Sequence, residues 1–170
     1  LLLESNDIHS GGGVGVLVRG GSAVLRANQL HTHALAHVRL VEVGAGCALE
    51  GNTIRGGGDC GVALVRCGAL LLARNTIART AKAGVLAHGT AAATATATAT
   101  NASVSAGAGT DAGTATGAAS AGAAAAPLLL GNTVQHSQHA GVYLYDGCTA
   151  TLLGNEVGAS TCYLPPTLGP

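Results

Sequence analysis

Leu49-Glu50-Gly51-Asn52-Thr53-Ile54 and Leu72-Ala73-Arg74-Asn75-Thr76-Ile77 are one phrase written twice, 23 residues apart. After each phrase comes a second one, Gly61-Val62-Ala63-Leu64 and then Gly84-Val85-Leu86-Ala87. A fixed period of this length marks a repeat architecture, and it is the first feature to look for in a chain. Working outward, the asparagine of the phrase recurs as Asn6, Asn28, Asn52, Asn75, Asn132 and Asn155. The gaps are 22, 24, 23, 57 and 23 residues. Three residues before each stands a leucine: Leu3, Leu25, Leu49, Leu72, Leu129 and Leu152. Two after stand Ile8, Leu30, Ile54, Ile77, Val134 and Val157, and ten after stand Val16, Val38, Val62, Val85 and Val142. Twelve after come Val18, Leu40, Leu64, Ala87 and Leu144.

The apolar runs are short, alternate with period two, and are punctuated by Gly and Asn, which is a strand signal and not a helix signal. Alternation sends positions ten and twelve inward and positions eleven and thirteen outward. No single unit can close a core, so the units must stack, like on like, at the parallel-strand spacing of about 4.8 Å. The expected fold is all-β: a right-handed parallel β-helix solenoid of about six coils, 22–24 residues each. A repeated buried Asn fits, because each amide can bond the amides above and below it. Position nine after the Asn reads Gly15, His37, Gly61, Gly84 and Gly141. Glycine there suggests a sharp corner, with a distortion at His37.

The 57-residue gap holds a segment of other composition. Ala91 to Ala126 is almost entirely Ala, Thr, Gly and Ser, with Asp111 its only charge. Loop closure cost grows slowly with length, so a solenoid tolerates such an insertion at a turn. The expected organisation is β-helix coils over 1–90, a disordered low-complexity insert over 91–126, coils again over 127–164, and a Pro-rich end or linker over 165–170. Within the insert, Asn101-Ala102-Ser103 fits a glycosylation acceptor. Tyr163 and Leu164 are candidates to cover the last coil, and Pro165-Pro166 cannot continue a ladder. The chain has no Met and opens on Leu1-Leu2-Leu3 in mid-unit, so flanking domains of a longer protein are expected.

Eight basic against eight acidic residues leave no net charge and no basic stripe in the sequence, so no nucleic-acid partner is expected. No apolar run reaches the 18 or so residues of a membrane span. Five cysteines at irregular spacing read as buried apolar thiols.

The unit Gly51-Asn52-Thr53-Ile54, Gly61-Val62-Ala63-Leu64, Leu72 and Asn75 resembles the repeat of the right-handed parallel β-helix superfamily. The stretch His139-Ala140-Gly141-Val142-Tyr143-Leu144-Tyr145-Asp146-Gly147, leading to Leu153-Gly154-Asn155-Glu156-Val157, is most similar to the β-helix region of F-box-only proteins, with their carbohydrate-binding and sugar-hydrolase-type repeats. That resemblance implies a substrate-binding region in ubiquitin-dependent turnover and a cytoplasmic or nuclear location. A signal peptide in a longer chain would instead imply secretion. The wider superfamily implies the alternative, a polysaccharide lyase, hydrolase or epimerase.

Enzymes of that kind need clustered carboxylates. The acidic residues fall at scattered offsets, and Glu42 and Asp146 share a column several coils apart. No catalytic residue is assigned. The nearest candidate is a turn-face trio of Asp59, Lys82 and His139, which solvated turn residues explain equally. His31 and His33 alternate on one strand with His37 nearby, and His9 shares a column with His31. Neighbouring imidazoles can hold a metal, yet surface histidines account for them, and neither metal nor cofactor is expected. The outward columns are richer: Leu17, Arg39, Ala63, Leu86 and Tyr143, then Arg19, Val41, Val65, His88 and Tyr145. Apolar surface on an outer strand can mark a binding face. Tyr143, Tyr145, Leu86, His88 and Arg39 are the expected contacts for a protein or glycan partner, with the insert placed to hang over them.

Overall fold

In the computed structural model, residues 1–89 and 126–158 are described. The first coil contains β1 (Leu2–Glu4), β2 (Asp7–His9) and β3 (Val16–Arg19), and the second β4 (Val24–Arg26), β5 (Gln29–His33) and β6 (Val38–Val41). The third contains β7 (Cys47–Glu50), β8 (Thr53–Gly57) and β9 (Val62–Val65), and the fourth β10 (Leu70–Ala73), β11 (Thr76–Thr80) and β12 (Ala83–His88). The fifth contains β13 (Leu128–Leu130), β14 (Thr133–Gln135) and β15 (Ala140–Tyr145), and β16 (Thr151–Leu153) and β17 (Glu156–Gly158) begin a sixth. Corresponding strands form three parallel sheets of six, six and five strands, and no helix occurs among the described residues. This is the expected right-handed β-helix: five complete coils and two further strands. The insert (apart from Ala126), the triplet at 101–103, the cap at Tyr163 and Leu164, and the Pro-rich end all lie outside the described residues.

The columns read from the sequence are the register of the sheets. Leu25 stands opposite Leu49, Ile54 opposite Ile77, and Val38 opposite Val62. Register continues across the insert, with Leu72 opposite Leu129 and Val85 opposite Val142. Leu25, Leu30, Leu49, Ile54, Leu72 and Ile77 are fully buried. Each such side chain removed from water contributes about 2 kcal/mol of hydrophobic stabilisation. The terminal coils have a described neighbour on one side only, and Leu152 and Val157 remain 41% and 47% exposed.

The Asn ladder is complete. Asn52 Oδ1 accepts from the backbone N–H and the Nδ2 of Asn28, both at 3.0 Å. Asn52 Nδ2 donates to Asn75 Oδ1 at 2.9 Å and to the Leu25 carbonyl at 2.9 Å. Two donors and two lone pairs are thereby satisfied, so a buried polar side chain costs little here. The same pattern runs from Asn6 to Asn155.

The corners differ from the expectation. Left-handed backbone recurs at three places in every coil: one before the Asn, four after it and fourteen after it. In the third coil these are Gly51, Gly56 and Arg66, and in the fourth Arg74, Arg79 and Gly89. Gly15, Gly61 and Gly84, nine after the Asn, do not have positive φ. Their reason is steric. A Cβ on Gly61 would lie 2.5 Å from the Ile77 side chain, and one on Gly84 2.2 Å from that of Val134. These glycines make room for the core residue of the next coil. Nor does His37 distort its corner: His37 N–H donates to the Cys60 carbonyl, and Val16 N–H to the His37 carbonyl. The His37 ring occupies the space left by Gly57 in the next coil.

Candidate functional site

β12 and β15 place Leu86 opposite Tyr143 and His88 opposite Tyr145. The rings of His88 and Tyr145 stack at 5.1 Å and 21°, and those of Tyr145 and Tyr143 at 5.2 Å and 23°. Tyr145 is thus shared by two near-parallel stacks on the outside of the third sheet. Tyr143 is 51% exposed and Tyr145 40%. Hydroxyls at the ring tips give an otherwise apolar surface hydrogen-bonding groups.

The expected face is not continuous. Arg39 is exposed, but Ala63 separates it from Leu86 in the ladder. Ala63 and Val65 face outward and are nevertheless buried. Ala63 is flanked by the longer Arg39 and Leu86, and Val65 by Val41 and the longer His88. The structure therefore brings together Leu86, His88, Tyr143 and Tyr145 and leaves Arg39 in a separate patch with Leu17 and Arg19.

The histidines also divide. His9 and His31 stack on the outside of the second sheet at 5.0 Å and 7°. His31 Nε2 lies 3.0 Å from Asp7 Oδ1, and its Nδ1 lies 3.0 Å from the Thr32 hydroxyl. His33 does not share that face. Thr32 has φ 61°, which breaks the alternation of β5 and turns His33 inward. His33 and His37 are buried and meet edge-on at 5.0 Å. Burial lowers the pKa of both imidazoles, and their mutual repulsion lowers that of His33 further. His37 Nε2 faces the Arg55 and Gly56 carbonyls, and the Nδ1 of each ring is buried without a partner among the described residues. The sequence carried a signal for this pair: coil two alone has His at both positions five and nine after the Asn, between coils with Gly at both. No cluster of three or more metal-ligating side chains occurs among the described residues.

Asp59, Lys82 and His139 occupy one column. Lys82 Nζ pairs with Asp59 Oδ1 at 3.0 Å, and His139 N–H donates to the Lys82 carbonyl. The carboxylate raises the Lys82 pKa, which holds the ammonium in its charged form. Glu42 and Asp146 are separated by Arg66 and Gly89, roughly 14 Å at the strand spacing, and Glu42 pairs with Arg66. Cys47, Cys60 and Cys67 are buried free thiols, and burial raises the pKa of Cys60 and Cys67. Cys162 lies outside the described residues.

Residues 1–126 match the model of a family described as a right handed beta helix region. No match to the chain is found among curated proteins. Among solved structures, the crystal structure of the periplasmic alginate epimerase AlgG is similar at a TM-score of 0.67 and 14% identity, over 91% of this chain and 33% of that one. A double mutant of that enzyme is similar at 0.65 and 14%, over 96% and 34%. The chain thus spans about a third of the length of the alginate epimerase, and identity at this level speaks for the fold alone.

Proposed function

We propose, from the premise that the chain belongs to the right-handed β-helix family, that it is the carbohydrate-recognising part of a carbohydrate-active protein. The observation that carries this reading is the His88–Tyr145–Tyr143 stack, whose two tyrosines are exposed while His88 is half-buried. A pyranose presents C–H groups on its faces, and an exposed aromatic ring held by its stacked neighbours offers them an apolar contact with little entropy to lose. Leu86 extends the apolar surface beside Tyr143, and the tyrosyl hydroxyls supply hydrogen bonds to sugar hydroxyls. The similarity to an alginate epimerase supports carbohydrate over protein as the ligand. The F-box-type reading, protein recognition on the same face for ubiquitin-dependent turnover, rests on the sequence resemblance alone.

Glu42 and Asp146 stand too far apart for a glycosidase couple, and Glu4 and Glu50 both lie against Arg26, so the proposal concerns binding and assigns no catalytic residue. Its test is a glycan-array screen followed by calorimetric titration of the best oligosaccharide. Tyr143→Ala with Tyr145→Ala should abolish binding, since aromatic anchors dominate such surfaces. Because both rings are outward, the melting temperature should change little. Unchanged binding in the double variant would defeat the reading.

A further inference from the structure

The acidic side chains of the described residues have partners, with one exception. Glu4 and Glu50 lie against Arg26, Asp7 against His31, Glu42 against Arg66 and Asp59 against Lys82, and Glu156 accepts from Gln135 Nε2. Asp146 alone makes no such contact among the described residues, and it is exposed. It follows Tyr145 directly, at the end of β15. Cys148 N–H donates to the Tyr145 carbonyl at 3.2 Å, and Asp146 and Gly147 between them have φ 57° and 71°. Asp-Gly is a favoured pair for a tight turn that is left-handed at both central positions. The turn thus fixes the Asp146 backbone at the rim of the stacked rings.

The cations of this side of the solenoid are turned away or engaged. Arg66 shares the Asp146 column two coils off, and its guanidinium reaches the other way, to Glu42. Gly89 fills the column in the coil between, with no side chain to offer. Arg39 is three coils from Tyr143 in the ladder, roughly 14 Å at the strand spacing. Lys82 is held by Asp59, and His139 precedes β15 at the opposite end of the strand from Asp146. The rings carry the same preference as the carboxylate, because the negative face of a tyrosine attracts a cation. Stack and carboxylate together favour a ligand that is apolar on one face and positively charged beside it.

We infer that the stacked rings take a saccharide bearing a free ammonium group, a glucosamine unit, with its C–H face on the tyrosines and its ammonium on Asp146. The inference rests on the carbohydrate reading for the class of ligand and adds its charge. Tyr143 and Asp146 are three residues apart, at most about 10 Å along an extended strand, so two neighbouring sugars span ring and carboxylate. A neutral sugar uses the rings alone. A uronate brings its carboxylate towards that of Asp146, and like charges repel. A lysine side chain offers the ammonium without the C–H face.

The test is calorimetric titration of the whole chain with a glucosamine oligomer in its ammonium form, its N-acetylated counterpart, a cello-oligosaccharide of equal length and an oligolysine peptide. The three sugars share one backbone and differ only at C2. The glucosamine oligomer should bind about fivefold more tightly than either neutral sugar, and the advantage should shrink as salt rises. Asp146→Asn keeps a residue suited to the left-handed position. It should remove the advantage and leave both the binding of the cello-oligosaccharide and the circular dichroism spectrum unchanged. Tyr143→Ala with Tyr145→Ala should abolish binding of all three sugars. A cello-oligosaccharide that binds as tightly as the glucosamine oligomer would overturn this inference and leave the carbohydrate reading standing. So would a preference that survives Asp146→Asn. Tighter binding of oligolysine than of any sugar would overturn both.

Discussion

Asn75 and Asn132 are 57 residues apart in the chain, yet Asn75 Nδ2 donates to Asn132 Oδ1 at 2.9 Å, as if the two stood one repeat apart. The backbone N–H of Asn75 donates to the same oxygen at 3.0 Å. The ladder is therefore blind to what lies between these coils. Only the position of the two corners matters to it, and the strands on either side pair in register.

Removing residues 91 to 124 should restore an ordinary repeat spacing between those two asparagines. The shortened chain should keep its far-ultraviolet circular dichroism and unfold in one transition. Loss of the β signal would mean that the segment forms part of the core.

Asn52→Leu should destabilise by about 1–3 kcal/mol, because Asn28 N–H, Asn28 Nδ2 and the Leu25 carbonyl lose partners in a buried site. Asn6→Leu, at an exposed end of the ladder, should cost less. Urea denaturation measures both. Equal costs would show that the ladder does not act through burial.

Gly84→Ala should cost about 1–3 kcal/mol through overpacking against Val134 and the Gly141 carbonyl. Gly13→Ala, where an added Cβ meets nothing within 4 Å, should lie within about 0.5 kcal/mol of the parent. Thermal melts of the two variants compare them directly. Equal shifts would return the explanation to backbone conformation.

The buried His33 and His37 should make the fold acid-sensitive. Burial lowers both pKa values below that of the unfolded chain, so the unfolded state takes up protons first. Their contribution is full above about pH 6.5 and is lost as pH falls towards the folded values, by at most about 1.4 kcal/mol per pH unit for each ring. His33→Thr with His37→Gly copies the residues that the fourth coil carries at these positions, Thr80 and Gly84. It should flatten the dependence of the urea midpoint on pH between about 7 and 5. A parent and variant with parallel pH profiles would exclude the pair as its source.

The sequence alone determined the architecture. Stacked identical layers require the same inward side chain at the same place in every coil, so the core prints itself as columns of Leu, Ile and Val, and the ladder as a column of Asn. The outer rings were legible too, because Tyr143 and Tyr145 follow from strand alternation. Tertiary structure decided the rest. The left-handed corners are filled by Ser5, Ala27, Gly51 and Arg74 in one column alone; the ladders on either side impose the dihedrals and the side chain faces solvent, so no residue type marks them. His33 turned inward because the corner at Thr32 changed the parity of its strand. Ala63 and Val65 divided the outer face because exposure depends on the length of the neighbours one coil away.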